Sequence, residues 1–196
     1  MQSKHRGISS TLLAISLLAG NGYFAKGLTS DSVTITLIRS VIAAIAIFLF
    51  VKANRGKISL TAAMDYYLIS ILGLLLGAHW VSFFYSMQVS TVTLGMTALY
   101  TYPLMTLLLE RIFLNKKVPV FEWLVAPVLV LGVWLMGSAT SQSGENNVLG
   151  ISVGLLSALC FAARNLLQQQ YLKNYPPHHT IYYQVIVISL LALPVV

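Results

Sequence analysis

Residues 66–109 form a run of 44 residues without a single charged side chain. A hydrocarbon core about 30 Å thick is crossed by about 20 helical residues that rise about 1.5 Å each. The run is therefore too long for one membrane helix and long enough for two. We expect a hairpin that turns near residues 88–93, where the segment QVSTVT supplies polar and β-branched residues.

Further charge-free runs cover residues 7–25, 123–144, 146–163 and 174–196, and the apolar run 33–51 contains one charge, Arg39. Only 9% of the 196 residues are charged, whereas soluble domains have about 25%. Such a chain cannot cover a water-facing surface, which excludes soluble enzymes and disulfide-stapled secreted domains. The net charge of +7 comes from small basic clusters between apolar runs, so we expect a lipid bilayer and no nucleic acid as partner.

Only helices and closed barrels satisfy every backbone hydrogen bond inside a bilayer. The sequence lacks the alternating segments of about ten residues that are typical of barrels. We therefore predict an all-α transmembrane helix bundle with about seven spans. They are placed at 8–26, 33–53, 66–87, 92–114, 118–138, 148–173 and 180 onward.

The lysines and arginines between these spans fall almost entirely on one side. Lys26 alone lies on the other side, and nine lie opposite it: Lys4, Arg6, Lys52, Arg55, Lys57, Arg111, Lys116, Lys117 and Lys173. Cytoplasmic loops carry the excess of basic residues. We predict an integral multi-pass protein, of a bacterial inner membrane, with a cytoplasmic N-terminus and an uncleaved first span.

Two short segments suggest an internal repeat. GISSTLL at 7–13 and GISVGLL at 150–156 share five of seven residues, and each opens a predicted span. Five spans separate the two copies, so the second copy would enter the bilayer from the opposite side. This is the inverted-repeat architecture of many secondary transporters.

The segment GAHWVSFFYSMQVSTVTLGMTALYTYPLMTLLLERIFLNKK at 77–117, followed by VLVLGVWLMG at 128–137, resembles the drug/metabolite transporter superfamily and its EamA-type repeat. The family's His-Trp, Tyr-Pro and Leu-Leu-Glu motifs are matched by His79, Trp80, Tyr102, Pro103, Leu108, Leu109 and Glu110. One position departs from the family: Lys116 stands where members usually have a glutamate, so no role of that glutamate is transferred.

The resemblance implies two inverted five-helix repeats, about ten helices in all. Residues 1–138 would form the first repeat, 139–147 an extracytoplasmic linker, and 148–196 the first two helices of an incomplete second repeat. On this view the chain needs the missing C-terminal helices or a second copy in a homodimer.

Polar and aromatic residues at membrane depth are the candidate lining of a substrate cavity: Arg39, His79, Trp80, Tyr100 and Arg164. Arg39 either snorkels to the outer interface or faces the bundle, where it would attract an anionic group. His79 is either a buried neutral histidine with one hydrogen-bond partner or a protonatable lining residue. No second histidine, cysteine or carboxylate lies one helical turn from His79, so we expect no metal site.

Two further residues are candidates for coupling or gating. Pro103 removes a backbone hydrogen bond and should bend or weaken the fourth helix near its middle, and bent helices favour substrate sites. Glu110 precedes the basic cluster at 116–117. It forms either an interfacial ion pair with a nearby lysine or arginine, or a proton-coupling carboxylate.

We expect a secondary transporter, an exporter of small metabolites such as amino acids or amphipathic organic compounds, that works by alternating access. The alternative is a truncated chain that does not transport alone. An intramembrane enzyme is a remote third interpretation, since the sequence holds no hydrolase or metalloprotease motif and no pair of intramembrane aspartates. We predict that the chain is not an enzyme and has neither catalytic residues nor a cofactor.

Overall fold

The computed structural model describes residues 30–55, 58–60, 62–116, 127–128, 130–132, 134–135 and 146–196. Regular structure in these residues is entirely helical. The helices are α1 (Ser32–Ala53), α2 (Ala63–Val89), α3 (Val92–Leu99), α4 (Tyr102–Phe113), α5 (Asn147–Tyr171) and α6 (Pro177–Ala192), and a short 3₁₀ helix (Leu193–Val195) follows α6.

Five stretches of the described residues are long and apolar enough to cross a bilayer: Ser32–Ala53, Ala63–Val89, Val92–Phe113, Asn147–Tyr171 and Pro177–Val195. They confirm the spans predicted at 33–53, 66–87, 92–114, 148–173 and from 180 onward. The predicted span 8–26 and most of 118–138 lie outside the described residues. The count of seven spans therefore stays a prediction, as does the inverted repeat, whose first copy at 7–13 is not described.

Side-chain caps set the starts of α1 and α3. Asp31 Oδ2 accepts hydrogen bonds from the amides of Val33 (3.1 Å) and Thr34 (3.3 Å), and Thr91 Oγ1 accepts from the amide of Leu94 (3.1 Å). These oxygens satisfy donors that have no partner inside the first helical turn. A hydrogen bond from the Thr34 hydroxyl also holds the pKa of the Asp31 carboxyl below its ordinary value.

The hairpin between α2 and α3 turns at Ser90 and Thr91, within the predicted segment 88–93. The second half of the hairpin is broken at Tyr100 and Thr101, two residues before Pro103. Proline has no amide hydrogen to donate to the carbonyl four residues earlier, so the helix ends and restarts there. The weakening predicted at Pro103 is thus confirmed as a break between α3 and α4.

Helix α2 lies at the centre of the bundle and packs against α1, α3, α5 and α6. Glycines allow α5 to approach α2 and α3 closely: a Cβ added at Gly154 would lie 2.6 Å from Ala98 Cβ and 3.0 Å from Ser86 Oγ. The Ser86 hydroxyl also donates to the Gly150 carbonyl (2.6 Å). Small residues thus allow close backbone contact where apolar burial gives little driving force between membrane helices.

Contacts between loops define two ends of the bundle. At one end, Gln88 Nε2 donates to the Ser30 carbonyl (3.0 Å) and the Asn146 amide donates to the Val89 carbonyl (3.1 Å). Helices α1, α3–α4 and α5 all run from this end to the other. We call that other end the basic end, because it holds five of the described basic residues: Lys52, Arg55, Arg111, Lys116 and Lys173.

The end of α4 and the start of α5 accordingly lie at opposite ends of the bundle, as the span predicted at 118–138 requires. The outer face of α1 carries apolar residues that are half exposed or more and recur at helical spacing, as a lipid-facing surface would: Ile38, Ile42, Ile45 and Leu49.

Candidate functional site

A cavity of about 430 Å³ lies between α4 and α5, next to the break in the hairpin. Such a volume falls within the range of about 300 to 1,000 Å³ that is typical of small-molecule sites. Its lining combines apolar and polar side chains: Tyr102, Pro103, Leu104, Thr106, Leu107, Asn165 and Gln169. Pro103, predicted as a gating residue, thus lines this cavity.

Arg164 lies directly behind the cavity wall. Its Nη1 donates to Oδ1 of Asn165 (2.8 Å), which lines the cavity, and its Nε donates to Oε1 of Gln184 on α6 (2.9 Å). Gln184 is completely buried, and its Nε2 donates to Gln168 Oε1 (3.1 Å). All the partners are neutral amides. In the part of the chain that the structure describes, no carboxylate pairs with Arg164.

His79 is 5% exposed, at the interface of α2 and α5. Its Nδ1 lies 2.8 Å from Ser157 Oγ and 3.2 Å from the Ser157 carbonyl oxygen. The Ser157 hydroxyl donates in return to the His79 carbonyl (3.1 Å). His79 therefore faces protein.

Aromatic contacts connect His79 to the cavity. The ring centroid of Phe161 lies 4.7 Å from that of His79 and 5.1 Å from that of Tyr102, one of the cavity-lining residues. Phe83 packs on the His79 ring at a centroid distance of 6.0 Å. A single layer of rings thus runs from the core of the bundle to the cavity.

Arg39 forms a second cluster, between α1 and α2. Its Cζ lies 4.9 Å from the ring centroid of Trp80 and 5.1 Å from that of Phe84, which are cation–π distances. Arg39 is half buried, and the described helices supply it with no carboxylate. The side chain thus faces α2 and packs on aromatic rings.

Tyr100 and Glu110 lie apart from both clusters. Tyr100 follows the last residue of α3 and is 61% exposed. Glu110 Oε1 lies 2.6 Å from Lys116 Nζ at the basic end. Glu110 thus forms an ion pair with a nearby lysine, and its role in coupling or gating stays a prediction.

The structure brings His79, Pro103 and Arg164 to one region of the bundle, and Arg39 and Trp80 to another. The sequence analysis missed three residues that organise the first region: Ser157, Phe161 and Gln184. Ser157 continues a stripe of small residues, with Gly150 and Gly154, that marks the face of α5 toward α2. Gln184 is a polar residue directly before the apolar run VIVI of α6, a signal that the sequence analysis could have used.

This arrangement suits binding better than bond breaking. Two guanidinium groups, several neutral amides and a layer of aromatic rings can orient a small organic solute through hydrogen bonds and stacking. Among the described residues, no group of three or more His, Cys, Asp or Glu side chains could hold a metal ion.

Comparisons with known proteins agree with this view. The model of the EamA-like transporter family matches residues 5–138. S-adenosylmethionine uptake transporters of Rickettsia felis and Rickettsia conorii are each 25% identical over 191 residues, which is 96% of this chain and 63% of theirs. One from Rickettsia prowazekii is 25% identical over 123 residues, 63% of this chain and 41% of its own length. No solved structure matches significantly.

Proposed function

Because this chain belongs to the EamA-like transporter family, we propose that it moves a small organic solute across the bilayer by alternating access. Arg39 and Arg164, which lie in separate clusters, are the candidate partners of an anionic group of that solute. The family and the names of the relatives describe transport, so the chain is a membrane transporter rather than an enzyme. It spans 63% of the length of the first two relatives.

The observation that carries this proposal is that neither arginine has a carboxylate partner in the described helices. An arginine at the centre of a membrane helix costs about 2.5 to 3.5 kcal/mol on insertion scales. Aromatic rings around Arg39 and amides around Arg164 offset part of that cost, but neither neutralises a charge. A carboxylate or another anionic group of the solute would do so while it is bound.

The relatives suggest which solute to test first. They are named for uptake of S-adenosylmethionine, a molecule that carries a carboxylate, an ammonium group, a positively charged sulfonium centre and a flat adenine ring. A carboxylate suits the two arginines, and a flat ring suits the aromatic layer of Tyr102, Phe161 and Phe83. Amphipathic metabolites of this kind, and amino acids, are therefore the substrate class.

The names of the relatives support uptake, whereas the sequence analysis predicted export. A secondary transporter is a reversible carrier whose net direction follows the gradients across the membrane. We therefore assign uptake as the working direction and test both. The bacterial relatives support a location in the bacterial inner membrane, and the basic end supports a cytoplasmic N-terminus.

The test is uptake of radiolabelled S-adenosylmethionine into proteoliposomes that contain the 196-residue chain. We expect Arg39→Gln and Arg164→Gln to reduce initial uptake about tenfold or more, the effect of losing about 1.4 kcal/mol of binding. Arg111→Gln, the same change at an exposed residue of the basic end, is the control and should transport normally. Preloaded liposomes measure efflux by the same variants.

Two results would count against the proposal. Wild-type flux in both arginine variants would remove their assigned roles. Absence of flux in the wild type, with restored flux when the chain is fused to the remaining third of a relative, would favour the alternative of a chain that needs further helices. A crosslinking assay of the reconstituted protein tests the homodimer.

A further inference from the structure

The contacts of His79 fix which of its ring nitrogens carries the hydrogen. The carbonyl oxygen of Ser157 can only accept a hydrogen bond, and it lies 3.2 Å from Nδ1. The Ser157 hydroxyl has one hydrogen, which it donates to the His79 carbonyl, so toward Nδ1 its oxygen also accepts. Two acceptors therefore face Nδ1, and Nδ1 must be the N–H of the ring.

In the neutral ring the other nitrogen, Nε2, then carries a lone pair and can only accept. No donor from the described residues lies within hydrogen-bond distance of Nε2. His79 is 5% exposed, and Nε2 is not among the fully buried side-chain atoms that lack a partner, so this acceptor keeps some surface from which a donor can reach it. An imidazolium at the same place would be a cation without an anionic partner among apolar rings, which is unfavourable.

We propose that Nε2 of neutral His79 accepts a hydrogen bond from an N–H group of the transported solute, and that Ser157 holds His79 in the required tautomer. This inference rests on the transport function proposed above. It makes His79 a determinant of specificity rather than a carrier of protons, because its single unpaired atom recognises a donor and repels an acceptor.

The surrounding rings indicate the kind of group that carries this N–H. A hydrogen bond to Nε2 lies near the plane of the imidazole. The rings of Phe83 and Phe161 are inclined to that plane by only 25° and 32°, so a flat group bound in the plane would lie alongside their faces. The chemical class is therefore an amino group on a planar unsaturated ring.

The charges near His79 argue against an ammonium group as the donor. Arg39 on α1 contacts Trp80, the residue next to His79, and Arg164 on α5 lies two turns beyond Ser157. The other described contacts of the His79 ring are uncharged: Ser157, Phe83 and Phe161. A neutral ring amine avoids repulsion by the two guanidinium groups, whereas an aliphatic ammonium does not.

The transport experiment compares radiolabelled S-adenosylmethionine with its 6-deamino analogue, in which a hydrogen replaces the amino group, so that the purine ring has no N–H donor. Wild-type protein in proteoliposomes should prefer the amino compound about tenfold, the order expected for one hydrogen bond to a buried group. His79→Phe keeps a ring without the acceptor, and His79→Asn keeps an amide for Ser157 without reaching the Nε2 position. Both variants should lose the preference and transport the two compounds at equal rates.

A second measurement does not depend on transport. The chain has four histidines, so nitrogen-15 spectra of histidine-labelled protein in detergent are simple, and His79→Phe identifies the His79 signals. We expect a protonated Nδ1 and a bare Nε2, with an Nε2 shift on addition of S-adenosylmethionine. Ser157→Ala should allow the second tautomer to appear.

The outcomes are distinguishable. Uptake of both compounds at equal rates, a preference that survives in His79→Phe, or a protonated Nε2 in the wild-type spectrum would each overturn the role of His79 and leave transport intact. A wild type that neither transports nor binds S-adenosylmethionine or its analogue would overturn the proposed function itself, and this inference with it.

Discussion

Arg164 Nε lies 2.9 Å from Gln184 Oε1, and the amide of Gln184 is oriented for this contact because its Nε2 donates to Gln168. The network thus aligns a buried guanidinium without neutralising it. A charged residue inside a membrane helix usually pairs with a residue of opposite charge. Because its amide partners are uncharged, the Arg164 guanidinium can still attract an anionic group of a bound solute.

Replacement of Gln184 by leucine and by glutamate should separate stability from transport. Gln184→Leu leaves the Arg164 Nε–H and the Gln168 oxygen unpaired, so we expect the free energy of unfolding to fall by about 1 to 3 kcal/mol. Gln184→Glu keeps an acceptor for Arg164 but neutralises it, so the protein should remain folded and lose uptake of a solute whose carboxylate binds Arg164. Thermal unfolding in detergent and uptake into proteoliposomes measure the two effects.

Gln170→Leu, at an exposed position of α5, is the control for the same chemical change. Equal stability of Gln184→Leu and Gln170→Leu would show that the contact does not hold Arg164. Full uptake by Gln184→Glu would show that the charge of Arg164 is not used.

The helices of this bundle could be predicted from the sequence because the bilayer fixes their length and excludes charge. The turn at Ser90–Thr91 and the break before Pro103 were predictable for local chemical reasons. The partners of His79 and Arg164 were not. Ser157 is 78 residues from His79 along the chain, and Gln184 is 20 from Arg164.

Hydropathy does not give the rotation of a helix whose apolar residues are spread over all of its sides, such as α2 or α6. Small residues that allow close approach indicate which side of a helix faces its neighbour. On α5 these residues are Gly150, Gly154 and Ser157, which recur every three or four positions. The sequence analysis did not use this stripe. It therefore found His79 and Arg164 without the residues that orient them.

A methyl group at Gly154 should push α5 away from α3. The added Cβ would lie 2.6 Å from Ala98 Cβ, and Ala98 is completely buried. We expect Gly154→Ala to lower the free energy of unfolding by about 1 to 3 kcal/mol, as overpacking does in tight cores. Thermal unfolding in detergent is the measurement.

Gly132→Ala is the matched control, because a Cβ there meets none of the described atoms within 4 Å. It should have little effect or a small stabilising one, since alanine favours a helix over glycine. Similar melting temperatures for Gly154→Ala and Gly132→Ala would contradict the close approach of α3 and α5.

The ion pair of Glu110 with Lys116 should contribute little. The Lys116 side chain is 55% exposed, and exposed pairs are worth about 0 to 1 kcal/mol. Glu110→Gln should therefore change the melting temperature slightly and leave uptake, with or without a pH gradient, close to wild type. Loss of gradient-driven uptake in Glu110→Gln, with exchange at equal pH retained, would instead identify Glu110 as the coupling carboxylate.

The two ends of the bundle should lie in different compartments. The chain has one cysteine, Cys160, so Cys160→Ser gives a background for single cysteines. We expect Asn54→Cys and Asn174→Cys at the basic end to react with a membrane-impermeant maleimide only after permeabilisation. Val148→Cys, at a position that is 78% exposed near the opposite end, should react in intact spheroplasts. The same labelling at all three positions would contradict the predicted topology.

Arg39 should show opposite effects on stability and on transport. Its charge has aromatic contacts but no carboxylate among the described residues, and cation–π contacts return only about 0.5 to 2 kcal/mol. Arg39→Met removes a charge that costs about 2.5 to 3.5 kcal/mol at membrane depth, so the protein should become as stable as the wild type or more so. Uptake of a solute whose carboxylate binds Arg39 should nevertheless fall.

Arg39→Lys is the matched variant, since it keeps the charge but presents a compact ammonium in place of a planar guanidinium that can stack on Trp80. We expect uptake by Arg39→Lys to lie between that of the wild type and that of Arg39→Met, with an increase in KM rather than a loss of maximal rate. Uptake kinetics and thermal unfolding of the three proteins decide the matter. A parallel loss of stability and transport in Arg39→Met would instead identify Arg39 as a packing residue. A binding role predicts the opposite effect on stability, because the charge of Arg39 then destabilises the protein when no solute is bound.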